Sequence, residues 1–249
     1  MLIYDRVVPL NRNTHRRLRI SAQSHNARFA ATLNSVPLAA IEFLPAASEY
    51  AIVFARLDNG DYLPAIMVGL KPQQNLYVDA EARWRRGYVP AFLRQYPFVL
   101  AEDRETGNLT VCVDMAYDGL SEEEGEALFE DSGEDTPNLT RALGFLTEFH
   151  HELKRTAAFT ERLKALDLLE QQVVRFGREG EPPHEINGVY VVSEERLHKL
   201  DDATLAELVR SGTMRLIHTH LVSMRNLERL SELAQQRAAD EDAPQGAAN

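Results

Sequence analysis

Residues 51–57 read AIVFARL and residues 62–70 read YLPAIMVGL, with Asp58-Asn59-Gly60 between them. Two apolar, β-rich runs flanking an Asn-Gly pair are the signature of a β-hairpin. Pro64 constrains the second run, because proline brings no N–H to a ladder; it implies an exposed edge or a late start. Outward from this pair, NLYVD at 75–79, FVLAE at 98–102 and LTVCVDM at 109–115 are further short strand candidates, the last two joined by the turn-like Glu105-Thr106-Gly107-Asn108.

Past residue 136 the period changes. Leu139, Leu143, Leu146, Phe149 and Leu153 recur at helical spacing, and Phe159, Leu163, Leu166, Leu169, Val173 and Phe176 continue it. Thr136 before Pro137 reads as an N-cap followed by proline in the first helical position, and Gly177 as a stop, so one long or two consecutive helices are expected over 137–176. A connector at 180–188 precedes a strand at 188–192. A helix capped by Ser193 and another capped by Asp201 or Asp202 follow, the latter ending at Ser211-Gly212. A final strand at 213–217 and a terminal helix from His220 to about Arg237 complete the pattern. The expected fold class is α+β, a mainly antiparallel sheet from the N-terminal half packed with C-terminal helices. One domain over 1–237 is expected, with subdivision near 118–135 as the alternative and a disordered tail over 238–249.

The chain has 249 residues, 44% of them apolar, which is ample for a sizeable core. No window approaches the ~18 to 20 uninterrupted apolar residues of a membrane span, so no transmembrane segment is expected. Met1 to Leu10 lacks the basic, apolar and small-residue order of a secretion signal, and Cys112 is the single cysteine; both point to the cytoplasm. The net charge of -11 argues against nucleic acid as a partner. That charge is uneven: six arginines stand against Asp5 alone before residue 30, and Asp118 to Asp135, ends included, holds nine acidic residues and no basic one. These segments read either as solvated faces or as docking sites for charged partners.

Several phrases together resemble the SapC family: Glu42-Phe43 with Tyr50 to Phe54, Gly69-Leu70 with Asn75-Leu76, the block WRRGYVPAFLRQYPF at 84–98, VCVD at 111–114, and the segment from Gly188 to Leu230. The resemblance covers nearly the whole chain and carries no catalytic signature. It implies a bacterial protein of a family named for a surface-layer association and without an agreed activity. Its members are often encoded beside TonB-dependent receptors, flavin-dependent halogenase-like proteins and cupin-like proteins. The resemblance therefore implies an accessory role around uptake or modification of an imported substrate, with halogenase-like or transport-system proteins as partners.

The most distinctive chemistry lies in 84–98, where Trp84, Tyr88, Phe92, Tyr96 and Phe98 interleave with Arg85, Arg86 and Arg94, with Arg83 just before. Aromatic faces with arginines grip carboxylates, peptides or flat rings through stacking and paired N–H donors. Trp84, Arg85, Tyr88, Arg94 and Tyr96 are the candidate ligand- or partner-binding residues. Pro90 and Pro97 bracket about two helical turns with Phe92 and Tyr96 on one face. The alternative is that the aromatics are core and the arginines rim.

Catalytic candidates are weaker. His218 and His220 would share one side of a strand but diverge if His220 begins a helix, and Asp114, Glu42, Asp79 and Glu152 are the carboxylates that could join them. His150, His151 and Glu152 lack the spacing of a zinc protease, so no metal site is assigned, and no cofactor is implied. Ser223 lacks the glycines of a nucleophile elbow, Cys112 alternates with Val111 and Val113 as a packing residue would, and neither a Walker A nor a GxGxxG loop occurs. The leading expectation is a non-catalytic binding or adaptor protein for a peptide, protein or small imported compound. An unrecognised enzyme acting on a peptide or amino-acid derivative, and a structural surface-layer component, are the alternatives.

Overall fold

A computed structural model describes residues 3–21, 26–85, 87–103, 105–176 and 184–242. The N-terminal half contains β1 (Val7–Pro9), β2 (Arg19–Ile20), β3 (Ser35–Pro37), the short helix α1 (Phe43–Ala47) and the hairpin of β4 (Ile52–Arg56) and β5 (Tyr62–Met67). Helix α2 (Ala91–Arg94) leads into β6 (Phe98–Glu102) and β7 (Leu109–Asp114), and β8 (Leu120–Ser121) and β9 (Glu126–Ala127) flank the acidic run. The long helix α3 (Pro137–Ala165) is followed by β10 (Leu169–Phe176) and β11 (His184–Val192). Helices α4 (Glu194–His198), α5 (Asp202–Ser211), α6 (Thr213–Ser223) and α7 (Asn226–Asp242) end the chain. The α+β class is as expected.

The hairpin is the centre of a five-stranded antiparallel sheet in the order β10-β11-β4-β5-β3. Two of its strands therefore come from the C-terminal half. Strand β5 starts at Tyr62 and lies between β4 and β3, so Pro64 marks neither an edge nor a late start. It is tolerated because β3 ends at Pro37: the Pro64 carbonyl accepts from the Leu38 amide at 2.9 Å, one residue past that strand. Residues 75–78 are buried yet form no strand. The Asn75 side chain bridges the Ala30 carbonyl and the Tyr77 amide, both at 2.9 Å, and only Val78 makes an isolated bridge, to Trp84. Gly69 lets this segment approach: a Cβ there would lie 1.8 Å from the Gln74 carbonyl oxygen.

Helix α3 begins as its sequence implies, with Thr136 Oγ1 accepting from the Leu139 amide and Pro137 in the first turn. It ends at Ala165 instead of running to 176. Asp167 takes the left-handed conformation (φ 51°), and the Leu168 amide donates to Leu163 while that of Asp167 donates to Lys164, the paired bonds of a Schellman ending. The chain then continues as β10. Residues 213–217 are helical, because Gly212 (φ 81°) closes α5 and opens α6, on which Ile217, His220 and Ser223 recur on one buried face. The expected terminal helix is two, α6 and α7, and α7 reaches Asp242. The stop at Gly177 and part of the connector at 180–188 fall on 177–183, and the end of the tail on 243–249, all outside the described residues.

The main core joins Phe43, Tyr50, Phe54 and Tyr77 with Phe159, Leu163, Leu168 and Ile217. A second cluster packs Leu18, Phe98, Val113 and Leu128 against Leu139 and Leu146, so α3 serves both. The charged segments meet each other. Strand β2 lies between β8 and β9, Arg12 and Arg17 approach Asp135 and Glu122 at 3.9 and 4.0 Å, and the Arg19 guanidinium donates to the Gly125 carbonyl. The basic arm and the acidic loop are thus partners within the chain.

Candidate functional site

The block at 84–98 is fixed from below by hydrogen bonds to buried acceptors. The Trp84 indole N–H donates to the Tyr50 hydroxyl at 3.0 Å and to the Tyr88 carbonyl at 3.3 Å, and the Tyr50 hydroxyl donates to that same carbonyl at 2.6 Å. Glu42, itself buried, accepts from the Tyr88 hydroxyl and the Ala91 amide at 2.7 Å and from the Ala39 amide at 2.9 Å. The Trp84 ring lies nearly parallel to Tyr77, centroids 6.0 Å apart at 19°. Burial raises the Tyr88 phenol well above its ordinary pKa, and the bond to Glu42 adds to the shift.

Pro90 caps the single turn of α2, shorter than the two turns expected. Arg94 then folds back, its Nε donating to the Val89 carbonyl at 3.0 Å and its guanidinium carbon 5.0 Å from the Phe145 ring centre. Tyr96 stacks on Phe29 at 4.2 Å and 24°, meets Tyr117 edge-on, and sends its hydroxyl toward Asp114 at 3.4 Å. Burial, followed by the Asp114 charge, raises the Tyr96 phenol, so it stays protonated as a donor.

Above these groups opens a cavity of about 570 Å³, walled by Phe29, Trp84, Val89, Leu93, Tyr96 and Tyr117. Arg83, Arg94 and Asn26 stand at its polar margin. Its size lies in the range of small-ligand sites, and it offers flat faces. Arg83 is held by Asp79 and Glu81, each at 3.0 Å.

Of the expected binding residues, Trp84, Arg94 and Tyr96 come together here. Tyr88 turns inward to Glu42, and Arg85 is exposed, does not line the cavity, and holds the Tyr77 carbonyl with its amide at 2.7 Å. Arg86 lies outside the described residues. Sequence reasoning missed Phe29, Val89, Leu93 and Tyr117. Phe29 sits in a one-turn helix and Tyr117 in the turn just before the acidic loop, where no periodicity marks an inward side chain.

The catalytic candidates separate. His218 is exposed, whereas His220, two residues on in α6, is fully buried; a helix turns them about 200° apart. His220 Nε2 accepts from the Val192 amide at 3.1 Å, which leaves Nδ1 to donate to the Ile52 carbonyl at 2.8 Å. Burial pushes its pKa down to about 4. Ser223 accepts from the Ile52 amide at 3.0 Å and donates to the His220 carbonyl at 2.6 Å.

Asp114, also fully buried, accepts from the amides of Asp5, Arg6 and Ala116 at 2.9 to 3.0 Å. Burial alone would raise its pKa, but these amides and Tyr96 outweigh it and leave the carboxylate below its usual range. Cys112 is buried, which raises its thiol. His150 faces Glu102 at 3.6 Å, and Glu152 pairs with Arg155. Among the described residues, no cluster of three or more His, Cys, Asp or Glu is arranged to hold a metal ion.

The profile of the SapC family matches residues 10–230. The chain belongs to the SapC family. No curated protein and no solved structure matches it. In this SapC-family chain the matched residues include all those lining the aromatic cavity and those of the His220 contacts. No helix among the described residues is long and apolar enough to cross a membrane.

Proposed function

We propose that this SapC-family protein is a non-catalytic binding or adaptor protein that takes a flat, largely apolar group of a peptide or small imported compound into the Phe29, Trp84 and Tyr96 cavity. The observation that carries this reading is that the polar groups around the cavity already have partners within the protein. The Trp84 N–H, the Tyr96 hydroxyl and the Arg83 and Arg94 guanidiniums are all engaged, so among the described residues the cavity presents ring faces and no spare acid, base or nucleophile. Arg94, whose guanidinium meets the Val89 carbonyl and the Phe145 ring, keeps positive charge at the margin, which suits an anionic substituent on the ring. The family's setting supports an accessory role beside uptake or halogenase-like proteins, and the single cysteine, which allows no internal disulfide, supports the cytoplasm as its compartment.

The test uses N-dansylglycine, an aromatic carboxylate that accepts energy from tryptophan. Trp84 is the single tryptophan of the chain and lines the cavity. Saturable energy transfer, weakened about tenfold by Tyr117→Ala and unaffected by His218→Ala, is the expected result. Absence of saturation in a folded sample, or equal affinity in the Tyr117 variant, overturns the reading.

A further inference from the structure

A second groove, remote in sequence from the aromatic cavity, lies between the β10–β11 hairpin and helices α6 and α7, with a volume of about 670 Å³. Its floor is apolar: Leu70, Val174, Leu221, Met224 and Leu227. Its rim is acidic, carrying Glu170, Glu194, Glu195 and Glu228. Glu194, Glu195 and Glu228 are exposed. Glu195 is already paired with Lys199 at 2.5 Å, and Arg175, which also lines the groove, is held by Glu185 at 2.8 Å, so the open charge of the rim rests on Glu170, Glu194 and Glu228.

From this geometry we infer that the groove receives a cationic amphipathic segment of a partner protein, its aliphatic side chains on the floor and its lysines or arginines at Glu170, Glu194 and Glu228. An apolar strip edged by one sign of charge is the complement of such a segment, and a methionine in the floor adapts to side chains of differing shape. The chain's own arginine-rich arm is not the occupant. It is spent on the acidic loop, where β2 lies between β8 and β9 and Arg12, Arg17 and Arg19 reach Asp135, Glu122 and Gly125. A charged segment of one sign pairing with its opposite is already used once in this fold, and the groove offers the negative half with no internal counterpart of that length among the described residues.

The experiment uses the full chain and a fluorescein-labelled amphipathic peptide of alternating leucine and lysine blocks, with anisotropy read at 0.15 M salt. Two double variants remove the same charge: Glu170→Gln/Glu228→Gln at the groove and Glu122→Gln/Glu123→Gln on the acidic loop. Saturable binding weakened at least tenfold by the groove pair and less than twofold by the loop pair is expected, with thermal melts of both variants matching wild type. Equal weakening by both pairs would reduce the effect to general attraction by a chain of net charge -11 and sink the inference, as would the lack of saturable binding. N-dansylglycine binding is measured on the same samples, so the failure of either site is read independently of the other.

Discussion

Ile52 and Val192 stand opposite each other in the continuing register of β4 and β11, yet the imidazole of His220 joins them in place of a direct ladder bond. The register pairs Val189 with Ala55 and Tyr190 with Phe54, so the next in-phase pair is Val192 with Ile52. There the strands part, and α6 inserts a ring that is acceptor on one side and donor on the other, while Ser223 takes the remaining Ile52 amide. The sheet is closed at this end by two side chains of a helix.

His220→Ala leaves a buried amide and a buried carbonyl without partners and opens a small cavity, so it should cost about 2–4 kcal/mol in urea unfolding.

The same residue sets a pH dependence. Its folded pKa of about 4 lies below the usual 6.5, so the unfolded chain binds the proton more readily. Its contribution is complete above pH 6.5 and is lost as pH falls from 6.5 toward 4, amounting to about 3 kcal/mol. Denaturation midpoints of wild type and His220→Gln should converge across that window; parallel curves would contradict the assignment.

Asp114→Ala should detach the start of β1 from the end of β7, since three amides lose one acceptor. A loss of about 3 kcal/mol is expected in thermal or urea unfolding. Because the folded carboxyl is held below its ordinary value of 3.8, this stabilisation is present above about pH 4 and disappears as pH drops through the lowered value. The variant should therefore be less acid-sensitive than wild type near that pH.

Two glycines should respond in opposite directions. Gly69→Ala drives a methyl into the Gln74 carbonyl and should cost more than about 2 kcal/mol or prevent folding. Gly144→Ala, exposed inside α3 with nothing within 4 Å of the added carbon, should stabilise by about 0.5–1 kcal/mol. Paired melting curves decide both.

At the aromatic cavity, Phe29→Ala removes the face on which Tyr96 lies. N-dansylglycine affinity should fall about tenfold while the fold persists, since Phe29 is only partly buried against the core. Far-ultraviolet circular dichroism on the same sample separates the two effects.

Local chemistry made the β4–β5 hairpin, the Thr136-Pro137 helix start and a cap at Asp201 or Asp202, which is Asp201, legible, because each depends on neighbours within a few residues. The end of α3 was hidden: its left-handed stop is Asp167 where a glycine would have announced it, and apolar residues at 169, 173 and 176 fit a helical period as well as a bulged strand. Within the site, Trp84, Arg94 and Tyr96 stood out as a dense run of chemistry. Phe29 and Tyr117 reach the same cavity from separate loops, a proximity that tertiary packing alone creates. For the histidines the two alternatives turned on whether 213–223 is strand or helix, which decides whether His218 and His220 share a side; α6 makes it helix.

The pairing of β4 with β11 also bears on how the protein is made. More than a hundred residues separate the two strands, so on a ribosome adding about 5–20 residues per second the open side of β4 waits many seconds for its neighbour, and longer for α6. During that interval the hairpin is a half-built surface within reach of other nascent chains. Folding yield should therefore depend on the synthesis of the last third of the polypeptide, and premature stops before residue 220 should give aggregates instead of smaller soluble products.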